Sequence, residues 1–237
     1  MEYIYTSDYQ AMSQMAARWV AREVLRNPAL VLGLPTGETP IGMYRYLIRL
    51  VEEGLISFAE TCTFNLDEYV GLGPDHPQSY AMYMKAHFWI KAGLKPENIN
   101  IPNGIAPDLA EECRRYDAKI EQAGGIDLQI LGLGLNGHIG FNEPSHNLAI
   151  RTHVVDLTPE TIKANARFFS SMDLVPRQAI TMGIGTIMQA RKILLLVSGD
   201  NKKEILRKAV YGEVSTIVPA SILQLHRDVT IITDIKI

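Results

Sequence analysis

The stretch IDLQILGLGLNGHIGFNEP (126–144) joins an apolar segment of strand length to a turn rich in glycine. The turn begins with G-x-G-x-x-G, a spacing that opens a helix in dinucleotide-binding proteins. Here the residues that follow include Gly140, Asn142 and Pro144, with no amphipathic stretch of useful length. The sequence therefore predicts a buried strand followed by a loop and argues against a dinucleotide site.

Further apolar segments along the chain have the length and composition of buried strands. They are ALVLGL (29–34), ETCTFNL (60–66), KILLLVSG (192–199) and DVTIIT (228–233), with THVVDL (152–157) as a weaker candidate. Segments that are apolar throughout are typical of parallel sheets covered on both faces. Amphipathic stretches that predict helices alternate with them, at 7–27, 39–54, 78–93, 108–124 and 200–212.

This alternation predicts a fold of the α/β class. We expect a single domain over residues 1–237, built as a three-layer α/β/α sandwich around a mainly parallel, Rossmann-like open sheet. For the helix at 39–54, Thr39 is the expected N-cap and Pro40 the first helical residue.

Composition narrows the class of protein. The 237 residues are 47% hydrophobic and carry a net charge of -3, which does not favour binding to nucleic acid. The two cysteines, Cys62 and Cys113, do not make a disulfide framework. No signal peptide is visible, and no apolar run approaches the roughly 20 residues of a membrane span. These features predict a soluble, cytoplasmic protein without a membrane or nucleic-acid partner.

Ligands of open α/β sheets bind beyond the carboxyl ends of the strands, so the residues there are the first candidates for function. The turn PTGETP (35–40) leads into a helix and could bind an anion, or it could be an ordinary well-capped turn. Lys202 and Lys203 follow another strand and are either anion ligands or solvated lysines. Asp67 and Glu68 follow a third strand, as a general base or as solvated loop acids.

The glycine-rich loop carries three side chains of types that are common in catalytic sites. His138 can move a proton near neutral pH, Glu143 can orient its imidazole, and Asn136 can only form hydrogen bonds. A metal site formed with His146 is a weaker interpretation, because the loop has no HExxH or paired Cys/His spacing. We therefore expect no metal.

Several of these stretches together resemble one family. The chain is similar to the glucosamine-6-phosphate deaminases, within the wider group that includes 6-phosphogluconolactonase and ribose-5-phosphate isomerase-like folds. The resemblance is carried by LGLPTGETP (32–40), FNLDEYVGL (64–72), HPQSY (76–80), GHIGFNEP (137–144), ANARFF (164–169) and LQLH (223–226). These stretches lie in the family's order and span nearly the whole chain.

The resemblance implies conversion of glucosamine 6-phosphate to fructose 6-phosphate and ammonia, with no cofactor. It places the enolisation base at Asp67, the ring-opening histidine at His138, its support at Glu143, and a further catalytic position at Asn136, which is Asp in some members. It places the phosphate ligands at Thr36, Gly37, Thr39, Arg167 and Lys202.

The resemblance also bears on regulation and on competing functions. Allosteric members bind N-acetylglucosamine 6-phosphate with basic residues in the segment matched by RTHVVDL (151–157), where this chain has His153 and Val155 in place of Arg and Lys. We therefore expect a non-allosteric enzyme that is a monomer or a small homo-oligomer. The alternatives are a sugar-phosphate lactonase on the same scaffold and a sugar-phosphate sensor without catalysis.

Overall fold

A seven-stranded sheet forms the centre of the protein, with strand order β1-β10-β9-β6-β2-β3-β5 and every neighbouring pair parallel. The computed structural model describes residues 1–166, 169 and 171–237. The strands are β1 (Glu2–Tyr5), β2 (Val31–Leu34), β3 (Cys62–Asn65), β4 (Asp67–Tyr69), β5 (Ile99–Asn100), β6 (Leu128–Gly132), β7 (His153–Asp156), β8 (Gln178–Thr181), β9 (Lys192–Val197) and β10 (Val229–Thr233).

Helices cover both faces of this sheet. The α-helices are α1 (Tyr9–Arg26), α2 (Ile41–Glu52), α3 (Tyr80–Met84), α4 (Leu109–Gln122), α5 (Pro159–Asn165), α6 (Ile184–Met188) and α7 (Lys203–Tyr211). A π-helix, Lys85–Trp89, continues α3, and 3₁₀ turns lie at Pro96–Asn98, Met172–Leu174, Asp200–Lys202 and Pro219–Leu225.

Side-chain alternation along the strands creates two cores. In β6, Leu128 and Ile130 belong to the core formed with α1, α2 and α3, whereas Leu131 belongs to the core formed with α4, α6 and α7. Successive strand residues point to opposite faces, so a strand that is apolar throughout contributes to both layers. The predicted three-layer sandwich with a mainly parallel sheet is therefore confirmed.

A second, three-stranded sheet was not predicted. It has the order β4-β8-β7 with antiparallel pairing, and it includes the segment 153–156 that the sequence suggested as a weak member of the main sheet. Only Leu66 separates β3 from β4, so the chain passes directly from the main sheet to the small one. Asp67 is the first residue after this transition.

Two helix predictions need correction. Helix α2 begins at Ile41 with Pro40 as its N-cap residue, so Thr39 does not cap it. Pro40 has no side-chain donor or acceptor for capping, and Thr39 instead remains in the loop before the helix. The helix predicted over 78–93 begins close to its predicted start, and Ser79 is its N-cap residue, but it changes to π-helical geometry at Lys85. Within the described residues, no helix is long and apolar enough to cross a membrane.

Candidate active site

The carboxyl ends of four adjacent strands, β9, β6, β2 and β3, bring the candidate residues to one edge of the sheet. The loop 35–40 follows β2, Asp67 follows β3, the glycine-rich loop follows β6, and the turn that contains Lys202 follows β9. Since parallel strands end at the same edge, the topology alone places these groups along one edge of the sheet.

Asp67 is a buried carboxylic acid at the point where the two sheets meet. It is 6% exposed and is paired in the small sheet with Thr181 of β8. Within the part of the chain that the structure describes, no group donates a hydrogen bond to its carboxylate. Burial, reinforced by the neighbouring Glu68, raises the pKa of Asp67 to about 8. This carboxylate is therefore suited to exchange a proton near neutral pH.

Glu68 has a different role from its neighbour. Its carboxylate accepts hydrogen bonds from the backbone N–H groups of Tyr69 (2.8 Å), Tyr80 (2.9 Å) and Ala81 (2.9 Å). Burial raises its pKa and these three bonds oppose the rise. Because both oxygens are occupied by backbone groups, Glu68 attaches the first turn of α3 to β4 and is not a second base.

His138, Asn136 and Glu143 form a connected hydrogen-bond network in the glycine-rich loop. The His138 Nδ1 atom lies 2.6 Å from Asn136 Oδ1 and 3.2 Å from Glu143 Oε2, and Asn136 Nδ2 donates to Glu143 Oε2 at 2.5 Å. Thr161 completes the network by donating to Glu143 Oε1 at 2.7 Å. The three residues that the sequence grouped are thus in direct contact.

The network fixes which nitrogen of His138 is available to a ligand. Asn136 must direct its NH₂ group to the carboxylate of Glu143, so its carbonyl oxygen faces His138. A carbonyl oxygen only accepts hydrogen bonds, so Nδ1 carries a hydrogen and donates it. In the neutral imidazole Nε2 is therefore the free acceptor.

Glu143 is held in its ionised form. Its side chain is 7% exposed, and burial alone would raise its pKa. The hydrogen bond and charge of His138, followed by the bonds from Thr161 and Asn136, instead lower the pKa to about 2. A permanent negative charge beside His138 stabilises the imidazolium whenever the ring takes up a proton.

Glycine residues allow this loop to pack closely. A Cβ atom on Gly134 would lie 2.3 Å from the His138 ring, so the ring occupies space that any other side chain would fill. Gly140 has a φ of +58°, and a Cβ atom placed on it would lie 3.8 Å from Asp67 Oδ2 in the small sheet. The loop that carries His138 therefore passes directly beside Asp67.

The candidate anion ligands follow the two strands that flank β6 in the sheet, β9 and β2. Burial lowers the pKa of Lys202, while the nearby charges of Glu38 and Asp234 oppose that shift. Lys202 is thus close to the loop that contains Thr36, Gly37 and Thr39. The predicted ligand Arg167 lies outside the described residues.

Tyr80 is a site residue to which the sequence analysis assigned no role. Its pKa is raised by burial, then by the neighbouring Tyr69 and Asp67, and a hydrogen bond with Thr36 opposes the rise. Its hydroxyl donates to that of Tyr69 at 3.1 Å, and its ring is stacked with Phe141. Tyr80 therefore contacts both the anion loop and Tyr69, which lies two residues after Asp67 in β4. The sequence feature that could have indicated Tyr80 is its position at the end of HPQSY, directly after the helix-capping Ser79.

Comparisons with known proteins agree with this architecture. A family described as glucosamine-6-phosphate isomerases/6-phosphogluconolactonase matches residues 7–232. A glucosamine-6-phosphate deaminase of Thermoanaerobacter sp. (strain X514) is 56% identical over 99% of this chain and 92% of its own length. One from Clostridium perfringens (strain ATCC 13124) is 51% identical, over 99% and 97%.

Solved structures give the same result. The structure of a monomeric glucosamine-6-phosphate deaminase superposes with a TM-score of 0.95, at 49% identity, over 98% of this chain and 97% of that one. A 6-phosphogluconolactonase from Thermotoga maritima superposes with a TM-score of 0.76 at 18% identity, over 98% of both chains, and is similar in fold alone.

The fold and the site together define an α/β protein with an acid, an imidazole network and an anion loop at one sheet edge. The extent of the family match and the identities to its members then settle the assignment. The chain belongs to the family of glucosamine-6-phosphate isomerases and 6-phosphogluconolactonases.

Proposed function

We propose that the protein converts glucosamine 6-phosphate to fructose 6-phosphate and ammonia by hydrolytic deamination. Relatives 51–56% identical over 99% of the chain are glucosamine-6-phosphate deaminases, and this similarity supports the choice of substrate. The observation that carries the proposal is the position of Asp67, a buried acid with a pKa of about 8 beside the loop of His138.

The reaction begins with opening of the sugar ring. His138 Nε2 accepts the proton of the anomeric hydroxyl and returns it to the ring oxygen, which gives the open-chain aldehyde. Glu143 stabilises the imidazolium during this step, and Asn136 keeps Nδ1 as the donor. The short contacts within this network support the assignment.

Isomerisation follows at the first two carbons. Asp67 in its ionised form removes the proton from C2 while the C1 oxygen takes up a proton from solvent, and an enolamine, the amine counterpart of an enediol, forms between C1 and C2. The acid then delivers its proton to C1 while the nitrogen releases one to solvent, which produces the imine of fructose 6-phosphate. Water adds to C2 of the imine and ammonia leaves. None of these steps requires a metal or a redox cofactor.

The phosphate group supplies binding energy away from the reacting carbons. We assign its recognition to the loop residues Thr36, Gly37 and Thr39, to Lys202, and to Arg167. The proximity of Lys202 to this loop supports the assignment. Residues 1–237 form one catalytic domain in this proposal, because the site includes residues of both sheets. The protein is proposed to be a monomer, like the 49% identical relative.

The test is a coupled assay for ammonia with glucosamine 6-phosphate as substrate. The wild-type protein is expected to release ammonia without added metal, and Asp67→Asn to lose that activity. A lactonase on this scaffold needs no base for a carbon acid. Hydrolysis of 6-phosphogluconolactone by both proteins, without ammonia release from the amino sugar by either, would contradict the proposal.

A further inference from the structure

Three tyrosine hydroxyls from three different helices donate hydrogen bonds to the loop 35–38. Tyr44 of α2 donates to the Pro35 carbonyl at 2.6 Å, and Tyr83 of α3 donates to the Gly37 carbonyl at 2.5 Å. Tyr9 of α1 donates to the Glu38 carbonyl at 3.1 Å and accepts a bond from the Gly42 N–H at 2.9 Å. The loop is therefore attached to every helix of this layer.

These bonds determine the direction of the peptide groups in the loop. In a trans peptide, the carbonyl of one residue and the N–H of the next point in opposite directions. Since the Pro35 and Glu38 carbonyls are directed to the helices, the N–H groups of Thr36 and Thr39 are directed away from them. Within the described residues, neither of these N–H groups donates to another group.

The loop conformation itself requires this support. Gly37 has a φ of +98°, a region that glycine enters readily but that it leaves as readily for others. Gly37 has no side chain that packing could hold in place, and the space where a Cβ atom would lie is open. The hydrogen bonds to the carbonyls of Pro35, Gly37 and Glu38 therefore help to fix it.

We propose that Tyr9, Tyr44 and Tyr83 are positioning residues that preorganise the loop 36–39 for the phosphate monoester of the substrate. They do not touch the ligand; they hold the carbonyl side of the loop so that its N–H side faces the anion. This inference rests on the loop's place in the proposed function. Preorganised donors bind an anion more tightly because no ordering cost is paid on binding.

Tyr83→Phe and the double variant Tyr9→Phe/Tyr83→Phe test the proposal, since each retains the ring and removes hydroxyls. Tyr46→Phe is the matched control, because Tyr46 lies on α2 and its hydroxyl makes no hydrogen bond within the described residues. The measurements are calorimetric titration with inorganic phosphate, and KM and kcat for glucosamine 6-phosphate. Thermal unfolding of each variant monitors the fold.

We expect Tyr83→Phe to weaken phosphate binding and raise KM by roughly 3-fold to 10-fold, and the double variant to do so further. Because the reacting carbons are distant, kcat should stay within about 2-fold of wild type, and Tyr46→Phe should match wild type throughout. Unchanged phosphate affinity in both variants, an equal loss in Tyr46→Phe, or no phosphate binding by the wild-type protein would overturn the proposal.

The two proposals fail in different ways. If wild-type protein releases ammonia but Tyr83→Phe binds phosphate normally, only the positioning role is wrong. If the wild-type protein binds phosphate with the expected variant effects but releases no ammonia, only the proposed reaction is wrong.

Discussion

Asp67, the proposed base, lies where the fold penalises its ionised form. Its carboxyl group is 6% exposed, and no described residue donates a hydrogen bond to it, so burial penalises the ionised form. The ionised form is nevertheless the one that would accept a proton from carbon in the proposed reaction. Burial of Asp67 therefore lowers stability at every pH above the ordinary pKa of the group.

The raised pKa of Asp67 predicts how the stability of the protein depends on pH. The pKa of Asp67 is about 8 in the folded protein against 3.8 for the unperturbed group. Between pH 3.8 and pH 8 the folded state keeps a proton on Asp67 that the unfolded state releases. The stability that this proton provides falls as the pH rises and is lost above about pH 8. Asp67→Asn should become more stable relative to wild type by roughly 2–4 kcal/mol between pH 5 and pH 8.

Urea unfolding of both proteins across this pH range measures the difference. Asp173→Asn, the same change at an exposed carboxylate, is the control and should track wild type. A stability difference between Asp67→Asn and wild type that does not vary with pH would show that Asp67 is ionised throughout the range.

At the scale of elements, the glycine-rich loop depends on close contacts that a single methyl group disrupts. Gly134→Ala would place a Cβ atom 2.3 Å from the His138 ring and should displace the imidazole, lowering kcat/KM by roughly 10²-fold. Gly132→Ala is the matched control, because a Cβ there meets nothing within 4 Å. Steady-state kinetics of the two variants make the comparison. Equal activities would mean that the position of His138 is not critical.

The sequence predicted five strands of the main sheet because their segments are largely apolar, but it missed the two edge strands β1 and β5. It could not reveal the small sheet, since β4 is three residues long and β8 pairs with strands distant in sequence. The segment 153–156 was recognised as a strand but given to the wrong sheet, because periodicity carries no information on the pairing partner.

The same limit applies to the site. His138, Asn136 and Glu143 are close in sequence, so one loop could be recognised as their common position. Without the family resemblance Asp67 and Glu68 could not be told apart, since only the fold shows that backbone N–H groups of α3 bind the Glu68 carboxylate. The contact of Tyr80 with Thr36 joins segments 44 residues apart and required the fold.

At the scale of the whole molecule, the segment 151–157 bears on regulation. In this segment Arg151 is the residue that matches the basic residues of allosteric relatives. It forms an ion pair with Glu121 at 2.5 Å. His153 and Val155 occupy the other positions. We therefore predict that the rate depends hyperbolically on glucosamine 6-phosphate and that N-acetylglucosamine 6-phosphate does not activate the enzyme. Initial rates with and without this compound test the prediction, and a sigmoidal curve that it relieves would contradict it.

The central claim is that an acid from one strand end removes the C2 proton of a sugar opened by an imidazole from another. The most direct measurement uses glucosamine 6-phosphate labelled with deuterium at C2 and follows loss of the label by NMR at pH 8. The wild-type protein should cleave the C2 bond, passing the label to C1 of fructose 6-phosphate or to water. Asp67→Asn, shown to be folded, should do so roughly 10³-fold more slowly. Cleavage by Asp67→Asn at the wild-type rate would contradict the account.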